Sequence, residues 1–137
     1  MRNISTVYQC LNDMEAVIIL AAVVGEPACD SSPEETVQTN FLAVKAIADC
    51  SIHLGIKRFI FASTDSVYGI QEGTMTEKSK LNPISLYAQT KVWSEEAILG
   101  MKNKNFNPTI IRMATLYGYS PRMRFDLVIN VLTKNAV

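Results

Sequence analysis

Residues 58–69 read Arg-Phe-Ile-Phe-Ala-Ser-Thr-Asp-Ser-Val-Tyr-Gly, and this stretch decides the fold. Its first half, Arg58 to Ser63, is a nearly continuous apolar run. Runs of this length suit a strand covered on both faces, as in a parallel sheet. Its second half is dense in hydroxyls and begins where the run stops. Polar residues at the carboxyl end of a parallel strand stand where open α/β sheets hold their ligands. A hydroxyl-rich turn capped by Asp65 would have the same composition, so the segment alone leaves both readings open.

Working outward, two more runs are of the same kind: Ala16 to Ala22 (AVIILAA) and Thr109 to Ala114 (TIIRMA). Helical patterns lie between and after them. Ser32-Pro33-Glu34-Glu35 predicts a helix start, with Ser32 as cap, Pro33 in the first turn and Glu35 closing a capping box. Val37, Phe41, Val44, Ile47 and Ala48 follow at helical spacing, and Gly55 is placed to stop the helix after Leu54. A second helix is expected from about Ile84 to Leu99 and a third over Phe125 to Leu132. Gly69 to Pro83 and Gly100 to Pro108 read as irregular loops. Strands alternating with helices predict an α/β parallel sheet with right-handed crossovers.

The 137 residues suggest one domain or part of one. Hydrophobic residues make up 48% and charged residues 19%, which is enough apolar material for a core. Thirteen basic residues balance thirteen acidic ones, so the chain has no electrostatic footprint for nucleic acid or an anionic membrane. Cys10, Cys29 and Cys50 are odd in number and far apart. They predict neither a disulfide framework nor a zinc site, and no metal is expected. The longest apolar run, Ala16 to Val24, is too short to span a bilayer as a helix, and it does not read as a signal peptide. A soluble cytoplasmic protein is expected.

Tyr87 and Lys91 form Y-x-x-x-K on the second predicted helix, which puts both side chains on one face. With 5 Tyr and 8 Lys in 137 residues, chance alone supplies about 0.3 such pairs, so the spacing is weak by itself. The physical case is electrostatic. An ammonium about 6 Å from a phenol, at an effective dielectric near 20, favours phenolate by roughly 2.8 kcal/mol. That moves a phenol from about 10 towards 8, within reach of proton transfer near neutral pH.

The conjunction of the 58–63 strand, S-T-D-S-V-Y-G at 63–69 and P-I-S-L-Y-A-Q-T-K at 83–91 resembles the extended short-chain dehydrogenase/reductase family. More narrowly it is similar to the sugar-nucleotide epimerases and dehydratases. The resemblance covers nearly the whole chain. It includes I-L-A-A at 19–22, T-N at 39–40 and I-R-M-A-T-L-Y-G at 111–118, with V-V-G-E-P-A-C at 23–29 and S-P-R-M-R-F-D-L at 120–127 similar to one bacterial subgroup.

The resemblance implies a Rossmann-type parallel sheet with flanking helices and a nicotinamide cofactor, NAD with NADP left open. Tyr87 would be the general acid/base. Lys91 would hold the nicotinamide ribose and tune Tyr87, and Thr64 would hydrogen-bond the reacting sugar hydroxyl. Leu20, Ala21, Ala22 and Thr39 would line the cofactor, with Ser63 beside it. The implied reaction removes a hydride from a sugar carbon while Tyr87 takes the proton, and the keto sugar then receives the hydride back or undergoes elimination. Members of the family commonly pair as homodimers through the helices matching 34–54 and 84–99.

Two departures narrow the expectation. The 4,6-dehydratases carry T-D-E where this chain has Thr64-Asp65-Ser66, which favours epimerisation or reduction over dehydration. Many relatives have Asn where Thr115 stands, at a position that helps hold the nucleotide diphosphate. Arg122 and Arg124 are candidates to compensate, since guanidinium suits phosphate, and a pair of solvated arginines is the alternative. No G-x-G-x-x-G or G-x-x-G-x-x-G occurs in the 137 residues. The resemblance therefore implies an incomplete Rossmann-type unit, in which about 60 residues with the first strands and the glycine-rich loop precede Met1. The substrate lobe after residue 137 would be mostly absent as well. The competing readings are a non-catalytic remnant or subunit with weak nucleotide binding, and an enzyme acting on a steroid or flavonoid carbonyl.

Overall fold

The computed structural model describes residues 3–137. Eight residues, Ile4–Leu11, form helix α1, whose start is capped by the Asn3 side chain accepting the Thr6 amide at 3.1 Å. Strand β1 (Ala16–Ile19) follows, then the short helices α2 (Glu26–Ser31) and α3 (Pro33–Val37). A π-helical turn, Gln38–Leu42, runs on into α4 (Ala43–His53). Strand β2 (Arg58–Thr64) ends in a 3₁₀ turn, Asp65–Tyr68. After a long loop come helix α5 (Leu86–Gly100), strand β3 (Asn107–Met113) and helix α6 (Val128–Ala136).

The three strands make one parallel sheet in the order β1-β2-β3. All three expected runs form strands, with ends moved by up to three residues. Register sorts the side chains by face. Val17 pairs with Phe59 and Pro108, and Ile19 with Phe61 and Ile110. Val17, Ile19, Phe59, Phe61 and Ile110 pack with Val44, Ile47, Ala48 and Ile98 from α4 and α5 into the main core. The Phe59 and Phe106 rings meet at 5.5 Å between centroids.

The opposite face carries Ile18, Ile60 and Thr109 in register. Ile18 is 59% exposed and Ile111 45%. The continuous runs suggest a sheet covered on both faces. Among the described residues only one face is packed, because α1, α4 and α5 all lie on the same side.

Two local details differ from expectation. Ser32 precedes α3 but its side chain caps nothing. Its backbone carbonyl instead takes both the Thr36 amide at 3.0 Å and the Thr36 hydroxyl at 2.9 Å. Helices α1 and α2 are additions, too short for a periodic signal to distinguish. Gly55, by contrast, ends α4 as the spacing predicts. At φ +74° its amide bonds Ile52 O and the next amide, of Ile56, reaches back to Ser51 O at 2.9 Å, which is a Schellman closure. No helix among the described residues is long and apolar enough to cross a membrane.

Candidate active site

The site lies where β2 stops. Thr64 is its last residue and also caps the 3₁₀ turn, its Oγ1 accepting the Ser66 amide at 3.2 Å. The Thr64 hydroxyl also lies 3.1 Å from Ser66 Oγ and 3.3 Å from Asp65 Oδ1. Opposite stands the start of α5. Ser85 accepts the Ala88 amide at 3.3 Å and so fixes where the helix begins, which places Tyr87 in its first turn.

A cleft of about 560 Å³ opens between these elements. It brings Ser63, Thr64, Asp65, Tyr87, Thr115, Arg122 and Arg124 to one wall system, with Val24, Gly25 and Glu26 facing them. Leu20, Ala21, Ala22 and Thr39 do not line it. Leu20 and Ala21 are exposed beyond the end of β1, Ala22 follows them, and Thr39 sits in the π turn. Ser63 borders the cleft but gives its hydroxyl to Glu95. Arg122 is exposed, whereas Arg124 is held by Asp126 through Nε at 3.1 Å. Asn130 ties that segment together, donating to Arg124 O at 3.0 Å and accepting from Gly118 N at 3.3 Å.

Lys91 is buried one helical turn beyond Tyr87, only 3% exposed. Its ammonium donates to Ala62 O at 2.7 Å and lies 4.7 Å from the Phe61 ring centroid and 5.7 Å from that of Tyr87. Burial pulls its pKa down to about 8, against the upward pull of Glu95.

The phenol behaves otherwise than the Tyr-Lys spacing predicts. Burial raises the Tyr87 pKa above its ordinary value, as do negative charge at Cys29 and at Asp65. A side-chain hydrogen bond with Thr64 and the charge of Arg124 pull the other way without prevailing. Lys91, whose ammonium donates to Ala62 O, is not among the groups that lower the phenol, and desolvation outweighs the rest.

Behind the cleft is a polar network that the sequence reading missed. Glu95, 2% exposed, receives Arg112 through Nε at 3.1 Å to both carboxylate oxygens and through Nη2 at 2.6 Å. This pairing pushes the Arg112 pKa further up. Arg112 Nη1 continues to the Tyr68 hydroxyl at 3.0 Å and Glu77 O at 3.3 Å. A signal existed for both partners. Arg112 interrupts an apolar strand, and a charge there needs a buried mate. Glu95 extends the Tyr87–Lys91 spacing by another four residues along the same helical face. Asn40, noted only as part of a motif, is 1% exposed and clasps Val23, accepting its amide at 2.8 Å and donating to its carbonyl at 2.9 Å. It thereby fixes the segment after β1 that faces Tyr87.

Comparison with known proteins agrees with this geometry. A model of the NAD dependent epimerase/dehydratase family matches residues 1–136. An uncharacterized UDP-glucose epimerase of Bacillus subtilis, YtcB, is 35% identical over 96 residues, which are 69% of this chain and 30% of that protein. The structure of UDP-glucuronic acid 4-epimerase from Bacillus cereus in complex with NAD superposes with a TM-score of 0.81 at 31% identity, covering 98% of this chain and 43% of that one. DesIV, a dTDP-glucose 4,6-dehydratase from Streptomyces venezuelae with NAD and TYD bound, shares the fold with a TM-score of 0.82 at 24% identity, over 98% of this chain and 42% of its own. The chain thus spans about a third of the length of its curated relatives. Sheet, cleft and family match agree: the chain belongs to the NAD-dependent epimerase/dehydratase family.

Proposed function

We propose that this chain carries the acid/base machinery of an enzyme that uses NAD to epimerise a nucleotide sugar. The observation behind this reading is the meeting of Thr64 and Tyr87 in one cleft at the carboxyl end of a parallel sheet. The donors present suit the nicotinamide end of the cofactor. Lys91 has three N–H groups, of which Ala62 O takes one, and it would turn the others to the nicotinamide ribose. Bound there, the nicotinamide would take up and return the hydride.

Thr64 would orient the sugar hydroxyl, and Tyr87 Oη would hold and release its proton. With its pKa raised, the phenol keeps its proton at neutral pH and is ready as an acid. Movement of the Lys91 ammonium from Ala62 O towards the phenol is the change that would make it a base. Arg122 and Arg124 border the cleft where a diphosphate would lie, and Arg124 would have to share Asp126 with it. Ser66, standing beside Asp65 where dehydratases have glutamate, favours epimerisation over 4,6-dehydration.

We also propose pairing of two copies through the helices at 34–54 and 84–99. Phe41 and Trp93, in edge contact at 5.8 Å, and the exposed Leu42 would be covered there. Sedimentation velocity decides that point, a monomer in the assembled enzyme refuting it.

The catalytic reading is tested on the protein that contains this chain, given NAD with UDP-glucose, UDP-glucuronic acid or dTDP-glucose, the product being identified by NMR. An epimer is expected, and Tyr87→Phe should lower turnover by about 10²–10⁴-fold. A 4-keto-6-deoxy product would replace epimerisation by dehydration, and near-normal turnover in the variant would remove Tyr87 from its role. A second reading, a non-catalytic subunit with weak nucleotide binding, is favoured by the lack of any G-x-x-G-x-x-G in the 137 residues. Turnover by the chain alone would dismiss it.

A further inference from the structure

We infer that Glu95 and Arg112 form a brace that fixes the Thr64 hydroxyl against Tyr87, so that both act as positioning residues for the acid/base pair. The inference rests on the reading of Thr64 and Tyr87 as that pair. Neither Glu95 nor Arg112 needs to touch substrate.

The brace holds Thr64 from both sides along the chain. Just before it, Ser63 gives its hydroxyl to Glu95. Just after it, the 3₁₀ turn ends in Tyr68, whose hydroxyl takes Arg112 Nη1 at 3.0 Å and whose ring lies 5.1 Å from the guanidinium carbon. Arg112 then closes the loop by binding Glu95 through two nitrogens. The turn that presents Thr64 is therefore pinned at both ends by one ion pair.

The other half of the geometry comes from helix α5. Tyr87, Lys91 and Glu95 follow one another at spacing four, on one face of a rigid rod. Lys91 adds a second tie to the same strand through Ala62 O, one residue before Ser63. Thus the carboxylate that grips β2 and the phenol that faces Thr64 ride on the same element.

The pair is well placed for a holding role. A two-nitrogen guanidinium–carboxylate contact fixes angle as well as distance. Buried as it is, breaking it by removing one partner leaves an uncompensated charge, so the geometry is held firmly. Misplacement of a catalytic group by about 1 Å can cost about 10²-fold in rate. A brace on Thr64 consequently matters even though it lies behind the cleft.

The test uses the 137-residue chain labelled with ¹³C at the tyrosine ζ carbon. The Tyr87 resonance is identified by its loss in Tyr87→Phe. Thr64→Val removes the hydroxyl that shares the cleft with the phenol and defines the displacement that this neighbour controls. Glu95→Gln keeps the side-chain volume and an acceptor for Ser63 while removing the charge that binds Arg112. Tyr68→Phe removes only the hydroxyl at the far end of the brace, and decides the matter if Glu95→Gln does not fold. Both should move the Tyr87 resonance in the direction set by Thr64→Val and at least half as far. Lys45→Ala, which breaks the exposed Lys45–Asp49 pair, should leave it in place. If Thr64→Val moves the resonance while the folded brace variants do not, the brace is overturned and the acid/base reading stands. If Thr64→Val itself has no effect, the Thr64–Tyr87 pairing falls and the brace with it.

Discussion

Lys91 is a cation held in an apolar place, against the Phe61 ring and beneath Tyr87. Its pKa of about 8 in the folded chain lies below the 10.5 of an unfolded lysine. Between those values the unfolded state binds more protons than the folded state, so stability rises with pH across that window. Below about pH 8 both states are protonated and the burial cost is fully present. Above about pH 10 the raised Tyr87 works in the opposite sense, since the unfolded chain then loses a proton that the folded chain keeps. Urea midpoints measured from pH 7 to 10 should therefore climb, and Lys91→Met should flatten that climb. An equal climb in the variant would assign it to another group. The same residue marks the limit of sequence reading. Spacing places Lys91 on the Tyr87 face of a helix, but it does not say where a long flexible stem puts its ammonium. That Thr64 and Tyr87 border one cleft was legible because their short or stiff side chains follow the backbone. Ser63 faces Glu95 because a partner invisible in the local sequence claims its hydroxyl.

At the scale of elements, the chain's glycines separate two kinds of constraint. Gly55 and Gly69 both adopt positive φ, +74° and +64°. A Cβ on Gly55 would meet nothing within 4 Å, whereas one on Gly69 would stand 2.0 Å from Asn82 O. The difference arises because Asn82 is drawn back onto the 3₁₀ turn, its amide bonding Val67 O at 3.0 Å. Gly55→Ala should thus lose only the conformational term, about 1 kcal/mol. Gly69→Ala adds a backbone collision and should lose at least twice as much. Chemical denaturation of the two variants checks this, and equal losses would show that the 69–83 loop shifts freely. Gly55 was legible as a helix stop because its role is local. The part played by Gly69 was not, since it depends on a contact thirteen residues away. The strands were read for the same local reason, each being a nearly continuous apolar run. Ser32 stands at the N-cap position of α3 as read, but at φ −142°, ψ 68°, directly after the end of α2, its side chain makes no cap bond.

The whole molecule divides its functions unevenly over its sequence. The groups proposed for proton transfer lie at the carboxyl end of β2 and at the start of α5, and both elements are held by the packed core. The groups that would bind the long axis of a dinucleotide are a different matter. Pyrophosphate is ordinarily gripped by backbone amides at a glycine-rich turn entering a helix, where the absence of side chains allows close approach. Gly25 opens α2 after β1, but it stands alone, and no G-x-x-G-x-x-G occurs in the 137 residues. On the face opposite α4 and α5, Ile18 and Ile111 remain exposed beside the register of β2. Nicotinamide-end contacts alone leave most of a dinucleotide's contact surface unused, and association has its own entropic cost. Calorimetric titration of the 137-residue chain with NAD should accordingly give millimolar affinity or weaker, no better than about −4 kcal/mol. Micromolar binding would mean that these residues build a pyrophosphate site without the glycine motif, and Gly25 at the start of α2 would be the first place to look for it.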